Sequence, residues 1–252
     1  MKVVIIGTGN VGTVLGRKIS AAGHDIIAVA GRNREATDAL ATELQAKPVY
    51  TFDNLATEAE LYLIAVSDTA LYELPKQLPA LGGIIAHTAG SVPMQVLSTL
   101  NRPHGIVYPL QSLRKEMVVL PDIPLLIDAS DETTAGILVD FAQTLSPQVE
   151  RANDTQRTQL HLGAVLVSNF TNHLYALAKK YCTRNGIEFS LLQPLIEETA
   201  TRLRQYAPEA VQTGPAARKD LITIQKHRQL IEQEPALLKV YDTLNESILN
   251  FK

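Results

Sequence analysis

Very little in this chain points to a staple, a tail or a charged binding face. Its 252 residues hold one cysteine, Cys182, so no internal disulfide and no cysteine-rich metal site can form. A lone thiol fits a reducing compartment, and a cytoplasmic protein is expected. Aromatic residues make up 5% of the chain, and 23 basic side chains stand against 26 acidic ones, a net charge of −3 with no run of Lys or Arg. Nucleic acid and anionic membranes are recognised by clustered basic faces, the former also by aromatic stacking platforms, so neither is an expected partner. No apolar stretch approaches the roughly 18 residues of a membrane helix. The short run Val3-Val4-Ile5-Ile6 stops at Gly7, below the about 7–15 residues of a signal core, and no leader is expected. What the chain does have is a 46% hydrophobic composition. A chain of this length buries about 70% or more of its unfolded surface, which excludes a disordered tail protein.

The first 151 positions alternate short apolar runs with helical stretches. Positions 3–6, 26–30, 61–66, 84–86 and 106–108 are apolar without alternation, as strands read when a parallel sheet is covered on both faces. Helical patterns over 10–22, 34–46, 68–81 and 93–100 lie between them, with Gly23 and Gly82 where helix ends favour glycine. Short late strands at 125–127 and Val149 flank a helix over 132–145. This order predicts an α/β fold, an N-terminal doubly wound sheet. From position 152 to 252 the pattern becomes all-α. Asn153-Asp154-Thr155 reads as a cap, and periodic apolar residues from Leu160 to Tyr181 predict an unusually long opening helix. Further helices follow over 190–204, 217–233 and 237–251, broken by Pro208, Gly214-Pro215 and Pro235.

Gly7-Thr8-Gly9-Asn10-Val11-Gly12 directly follows the first strand and opens the first helix. In that setting Gly7 permits a tight turn, Gly9 lets backbone approach a pyrophosphate, and Gly12 lets helix and strand pack closely. The helix N-terminus then presents free N–H groups to the phosphates. An NAD-preferring site ends its second strand with a carboxylate for the ribose; here that strand ends Ala30-Gly31-Arg32-Asn33-Arg34. Arg32 and Arg34, with Asn33, suit a 2′-phosphate instead, so the expected cofactor is NADP. Val66-Ser67-Asp68 lies at the carboxyl edge of the 61–66 run. Those residues either contact the cofactor or cap the helix that follows. His87, leaving a buried strand into Thr88-Ala89-Gly90-Ser91, either reaches a nicotinamide or substrate or is satisfied locally by backbone.

At about 100° per residue, His161, Val165, Ser168 and Asn172 fall on one stripe of the long helix, with Asn169 beside it. The stripe either faces substrate or forms a polar seam against another helix or subunit. Thr213-Gly214-Pro215-Ala216-Ala217-Arg218-Lys219-Asp220 places a proline at a helix start beside an arginine, a plausible anion site, and Asp220 shares a face with His227. A capped helix with solvated charges is the plainer reading.

The Gly7–Gly12 loop, His87-Thr88-Ala89-Gly90, Tyr108-Pro109-Leu110-Gln111, Ser168-Asn169-Phe170 and the 214–220 segment with His227 together resemble one family along nearly the whole chain. It is the Rossmann-like oxidoreductases that carry a C-terminal domain of unknown function numbered 2520. That family is similar in plan to pyrroline-5-carboxylate reductase, the deazaflavin-dependent NADP oxidoreductases and the β-hydroxyacid dehydrogenases. The resemblance implies an NADP-binding Rossmann domain, a helical domain that mediates a homodimer, and a small-molecule substrate held in a cleft between them. β-Hydroxyacid dehydrogenases carry a catalytic Lys four residues before an Asn; the spacing here resembles Ser168…Asn172, with serine in the lysine's place. A histidine is the natural replacement, from among His87, His161 and His227. Ser168 and Asn172 join His87 and His161 as catalytic candidates, and Gln111, Asn169, Arg218 and His227 are expected to contact substrate; no metal is expected. The expected activity is hydride transfer between NADP(H) and a small anionic carbonyl or imine, the alternative being an NADP(H)-binding sensor or scaffold without turnover.

Overall fold

The computed structural model describes residues 1–251, which form two compact units dividing between Phe170 and Thr171. The first unit is built on eight strands: β1 (Lys2–Ile6), β2 (Asp25–Ala30), β3 (Lys47–Val49), β4 (Leu61–Ile64), β5 (Ile84–His87), β6 (His104–Pro109), β7 (Leu125–Ala129) and β8 (Val149–Arg151). They lie side by side in the order β3-β2-β1-β4-β5-β6-β7-β8. Every pairing is parallel except β6 with β7, where Pro109 stands opposite Leu125 and Gly105 opposite Ala129. The doubly wound α/β sheet expected from the sequence is therefore present, with the chain reversing its direction of winding between β1 and β4. Ligands of open α/β sheets bind at such a switch point, outside the carboxyl ends of the strands.

The near-continuous apolar runs have a direct structural cause. Val3 and Ile5 pack into one core with Val14, Leu15 and Ile19 of α1 (Asn10–Ala21) and with Leu138 and Phe141 of α4 (Glu132–Leu145). Val4 and Ile6 enter the opposite core with Tyr62, Ile64, Leu71, Leu74 and Leu97. Alternate residues of one strand thus face two different apolar layers, and neither face is free to be polar. On the second side the cover is irregular. The helix expected over 68–81 is a four-residue α3 (Asp68–Leu71) followed by a 3-10 turn, Leu74–Gln77, because Pro75 supplies no N–H to continue the ladder. The helix expected over 93–100 is likewise a 3-10 segment, Met94–Leu100, ended by Asn101 in the left-handed region. β3, a three-residue strand containing Pro48, was not foreseen; as the edge strand it tolerates a proline. α2 (Arg34–Glu43) begins with Asn33 as its cap.

The antiparallel turn of β7 keeps the whole β6–β7 connection at the carboxyl edge of the parallel strands. Leu113 and Ile123 are buried in the first core and pin its two ends. Between them the Lys115 N–H donates to Asn10 Oδ1 (3.1 Å) and Arg17 Nη1 donates to the Lys115 carbonyl (2.6 Å), so the segment straps the beginning of α1.

The long helix expected from the sequence proves to be three segments: α5 (Asp154–Ala164), a π segment (Val165–Phe170) and α6 (Thr171–Arg184). α5 opens with a full capping box between Asn153 and Gln156. The second unit holds α6, α7 (Gln193–Arg202), α8 (Leu221–Leu230) and α9 (Pro235–Asn250). Few of its side chains are buried, Cys182, Ala216, Ile224 and Ile231 among them. Among the described residues no helix is long and apolar enough to cross a membrane.

Candidate active site

Two of the three loop glycines are demanded by the protein itself. Gly7 has φ +117°, and a Cβ there would lie 2.1 Å from the Ala65 carbonyl oxygen. At Gly12 a Cβ would lie 2.2 Å from the Gly7 carbonyl oxygen, which sets how closely α1 packs on β1. Gly9 differs. Its backbone is extended, and a Cβ there meets no atom within 4 Å. Nothing in the fold requires glycine at this position, and the space in front of it is open. Gly9 caps α1 without a side chain, and the first turn has no acidic residue, so the N–H groups there are unclaimed by side chains. A groove of about 320 Å³ runs along Gly7, Thr8, Gly9, Gly31, Arg32, Asn33, Val66 and Ser67. These features fit a dinucleotide pyrophosphate. Of the other expected loop residues, Val11 packs toward the core and the Asn10 side chain holds the strap.

The end of β2 separates the three residues expected to read a 2′-phosphate. Asn33 Oδ1 accepts the Ala36 N–H (3.0 Å) as cap of α2. Arg34 lies over the Tyr50 ring at 4.7 Å, and the Tyr50 hydroxyl donates to Asp38, which pushes its ionisation up. Arg32 is exposed, lines the groove and makes no ion pair among the described residues. Of the pair after β4, Ser67 is the helix cap and Asp68 is not. Ser67 caps α3 through the Ala70 N–H (3.4 Å) while lining the groove, and Asp68 accepts the Ser91 hydroxyl (2.8 Å), tying the loop after β4 to the loop after β5.

The loop after β5 carries Gly90, and there a second constellation assembles. The Tyr108 hydroxyl, at the end of β6, lies 2.9 Å from His161 Nδ1 of α5. Gly90 lies against both rings: a Cβ on it would sit 2.6 Å from His161 Nδ1 and 3.0 Å from Tyr108 Cε2. His161 is half-buried, and its Nε2 has no protein partner among the described residues. Burial pushes the Tyr108 hydroxyl up; the Arg157 guanidinium pulls it down and Asp68 pushes it up. His87 requires correction as a catalytic candidate. Its side chain is fully buried, and its Nδ1 accepts the Ala89 N–H (3.1 Å). Burial first, and then the Arg157 charge, hold it down at about 4, so it is neutral at physiological pH and has no open path to a ligand. Sequence reasoning quoted Tyr108 and Gly90 only as parts of motifs; the pairing of Tyr108 with a residue 53 positions away has no local signal.

Two family models cover most of the chain: a Rossmann-like domain matches residues 1–111, and a domain of unknown function, DUF2520, matches residues 123–248. The crystal structure of a "putative NADP oxidoreductase" from Bacteroides fragilis is similar at 35% identity and a TM-score of 0.93, over 98% of this chain and 97% of that one. The chain belongs to the DUF2520 family. A comparison with curated proteins returns no match. Two more distant solved structures share the fold. One is a 1-pyrroline-5-carboxylate reductase from Streptococcus pyogenes, with 13% identity, a TM-score of 0.68 and coverage of 100% of this chain and 99% of that one. The other is an imine reductase from Myxococcus stipitatus in complex with NADP+, with 15% identity, a TM-score of 0.66 and coverage of 98% and 93%.

Within the DUF2520 segment several expectations change. The single stripe through His161, Ser168 and Asn172 assumed an unbroken 3.6-residue period, and the π segment interrupts it. Ser168 is half-buried within that segment, Asn169 is exposed there, and Asn172 is exposed on α6. The 214–220 segment is not a helix start. Gly214 (φ +107°) and Lys219 (φ +57°) adopt left-handed backbone, and α8 begins only at Leu221. Asp220 caps it, accepting the Thr223 N–H (3.0 Å) and hydroxyl (2.7 Å), which hold its carboxyl below the usual range. The free helix end expected to bind an anion beside Arg218 is therefore absent, and Arg218 is exposed. Asp220 is occupied by its cap, while His227 Nδ1 pairs with the Tyr241 hydroxyl (2.9 Å), so those two do not act together. Gln111 is exposed and turns onto its own loop, accepting the Ser112 N–H (3.0 Å). No cluster of His, Cys, Asp and Glu among the described residues is arranged for a metal.

Proposed function

We propose that this DUF2520 protein is an NADP-dependent oxidoreductase acting on a small carbonyl or imine compound, with His161 as the proton-handling group and Tyr108 as its support. The observation that carries the cofactor half is Gly9, whose lack of a side chain answers to no atom of the protein. The exposed Arg32 in the same groove, with no carboxylate at the end of β2, supports the phosphorylated dinucleotide. The Bacteroides fragilis structure described as a "putative NADP oxidoreductase" supports this reading, as does a fold neighbour described as an imine reductase in complex with NADP+. The bound nicotinamide supplies or accepts the hydride.

The protein's own residues do the rest. The groove orients the dinucleotide along the carboxyl edge, and the Asp68–Ser91 hydrogen bond joins the groove's rim to the Gly90 loop. Tyr108 fixes the His161 ring through Nδ1, leaving Nε2 as the atom that gives or takes the substrate proton. Histidine so placed fills the role for which related enzymes use lysine. The helical second unit exposes Leu191, Leu195, Leu203, Ile222 and Leu230 over a sparse interior, and we propose a homodimer through it; a monomer at micromolar concentration in light scattering refutes that.

Calorimetric titration with NADPH, NADH and NADP+, followed by NADPH oxidation against panels of cyclic imines and keto acids, tests the activity. Phosphate-selective binding with turnover that disappears in His161→Gln, binding being retained, is the expected result. Selective binding without turnover on any carbonyl or imine favours the sensor reading. No binding of any dinucleotide overturns both.

A further inference from the structure

The largest fully buried side chain is charged. Arg157, one helical turn before His161 on α5, has no exposed side-chain surface. Its Nη2 donates to the Val92 carbonyl (2.6 Å) and to Asp154 Oδ1 (2.6 Å). Asp154 in turn accepts the Met94 N–H through both carboxylate oxygens (3.1 and 3.2 Å). The loop that begins at His87 is thereby gripped at Val92 and Met94 by α5, the helix that also carries His161. Between the grip and β5 sits Gly90, in contact with both rings of the Tyr108–His161 pair. The grip uses only one of the guanidinium's three nitrogens: Nε and Nη1 have no partner, and neither has the nearby His87 Nε2.

Buried donors without acceptors destabilise a fold, and a buried cation whose partner carboxylate is 43% exposed is poorly compensated. A methionine would fill this space without those penalties, so the residue's presence is better explained by the loop it holds than by stability. We propose that Arg157, with Asp154, is a positioning residue that clamps the 87–94 loop so that Gly90 seats the Tyr108–His161 pair. This deepens the oxidoreductase reading and rests on it for its functional meaning, although the clamp itself can be tested without turnover. Electrostatics agree with the placement: the Arg157 charge opposes proton uptake by His87 and favours ionisation of Tyr108. The other charged groups acting on these two are Asp68 on both and Asp154 on His87.

The test uses full-length protein with isotope-labelled histidine, His161 being assigned by its loss in His161→Gln. In the wild type the imidazole 15N shifts should report one fixed tautomer hydrogen-bonded at Nδ1. Arg157→Met should give averaged tautomers at His161 while melting no lower than the wild type and binding NADPH within about twofold of it. Asp154→Asn, which keeps the guanidinium but weakens the hold on Met94, should move the His161 signals part of the way. Unchanged His161 shifts in Arg157→Met overturn the proposal. So does a variant that melts lower while its folded fraction keeps the wild-type tautomer, since that is the mark of a purely structural arginine. Absent NADPH binding in the wild type would defeat the oxidoreductase reading instead, and leaves the tautomer comparison intact as the test of the clamp.

Discussion

If Gly9 answers only to a ligand, Gly9→Ala should separate binding from folding. The added methyl meets nothing within 4 Å, and the residue's φ of −80° and ψ of −173° are open to alanine. Alanine is a poorer helix cap than glycine, by up to about 1 kcal/mol, but it also restricts the unfolded chain by about 0.4–1 kcal/mol. These terms oppose each other, so stability should change by less than about 1 kcal/mol, a shift in Tm within about 4 °C for a chain of this size. Binding should respond differently. A methyl facing the pyrophosphate removes one or two hydrogen bonds to a charged group, each contributing roughly 1.5–3 kcal/mol. A loss of about 2–4 kcal/mol corresponds to a Kd for NADPH raised roughly 30- to 1,000-fold. Gly12→Ala is the control, because its Cβ would lie 2.2 Å from a backbone oxygen that cannot turn aside. That variant should lose about 3 kcal/mol or more and melt well below the wild type. Titration calorimetry and thermal melting of both proteins decide the matter. A Gly9→Ala protein that binds NADPH like the wild type, or melts with Gly12→Ala, refutes the reasoning.

Arg32→Glu should raise the NADPH dissociation constant about tenfold or more while leaving NADH nearly unaffected; equal losses for both would remove Arg32 from the 2′-phosphate. Gly90→Ala pushes on His161 Nδ1 at 2.6 Å, which should cost about 1–3 kcal/mol of stability and about a hundredfold or more in NADPH oxidation, with NADPH binding unchanged. His87 resists protonation in the fold down to about 4, below its ordinary 6.5. As pH falls through that interval the unfolded chain takes up a proton that the native state refuses, so stability present above 6.5 is lost by about 3 kcal/mol on reaching 4. His87→Gln should flatten the Tm profile across this window; an unchanged acid limb would place the loss elsewhere.

The parallel strands were legible because burial on both faces leaves no polar alternation, and the glycine loop because its spacing is set by backbone geometry. Boundaries failed where one residue overrides a pattern: Pro75 halts α3, and Asp220, not Gly214, caps α8. The candidate site was only half visible. Gly7, Gly9 and Gly12 are neighbours in sequence, whereas Tyr108, Gly90 and the α5 residues Arg157 and His161 meet only after three separate segments converge on one sheet edge. His87 illustrates the reverse error, since a histidine at the end of an apolar strand reads the same whether it points into a ligand site or into the core.

The reversal of β7 bears on how such proteins diverge. Because β6 and β7 run in opposite directions, their connection begins and ends on the edge that carries the glycine loop, with Leu113 and Ile123 buried near its two ends. Most of what lies between is exposed, and Val118 and Val119 are almost bare, so residues can be inserted or deleted around those two without disturbing either core. Since that stretch also grips Asn10, any change in its length alters the cover over the first turn of α1. The fold therefore offers selection a place to remodel access to the glycine-loop edge while the sheet beneath it stays the same.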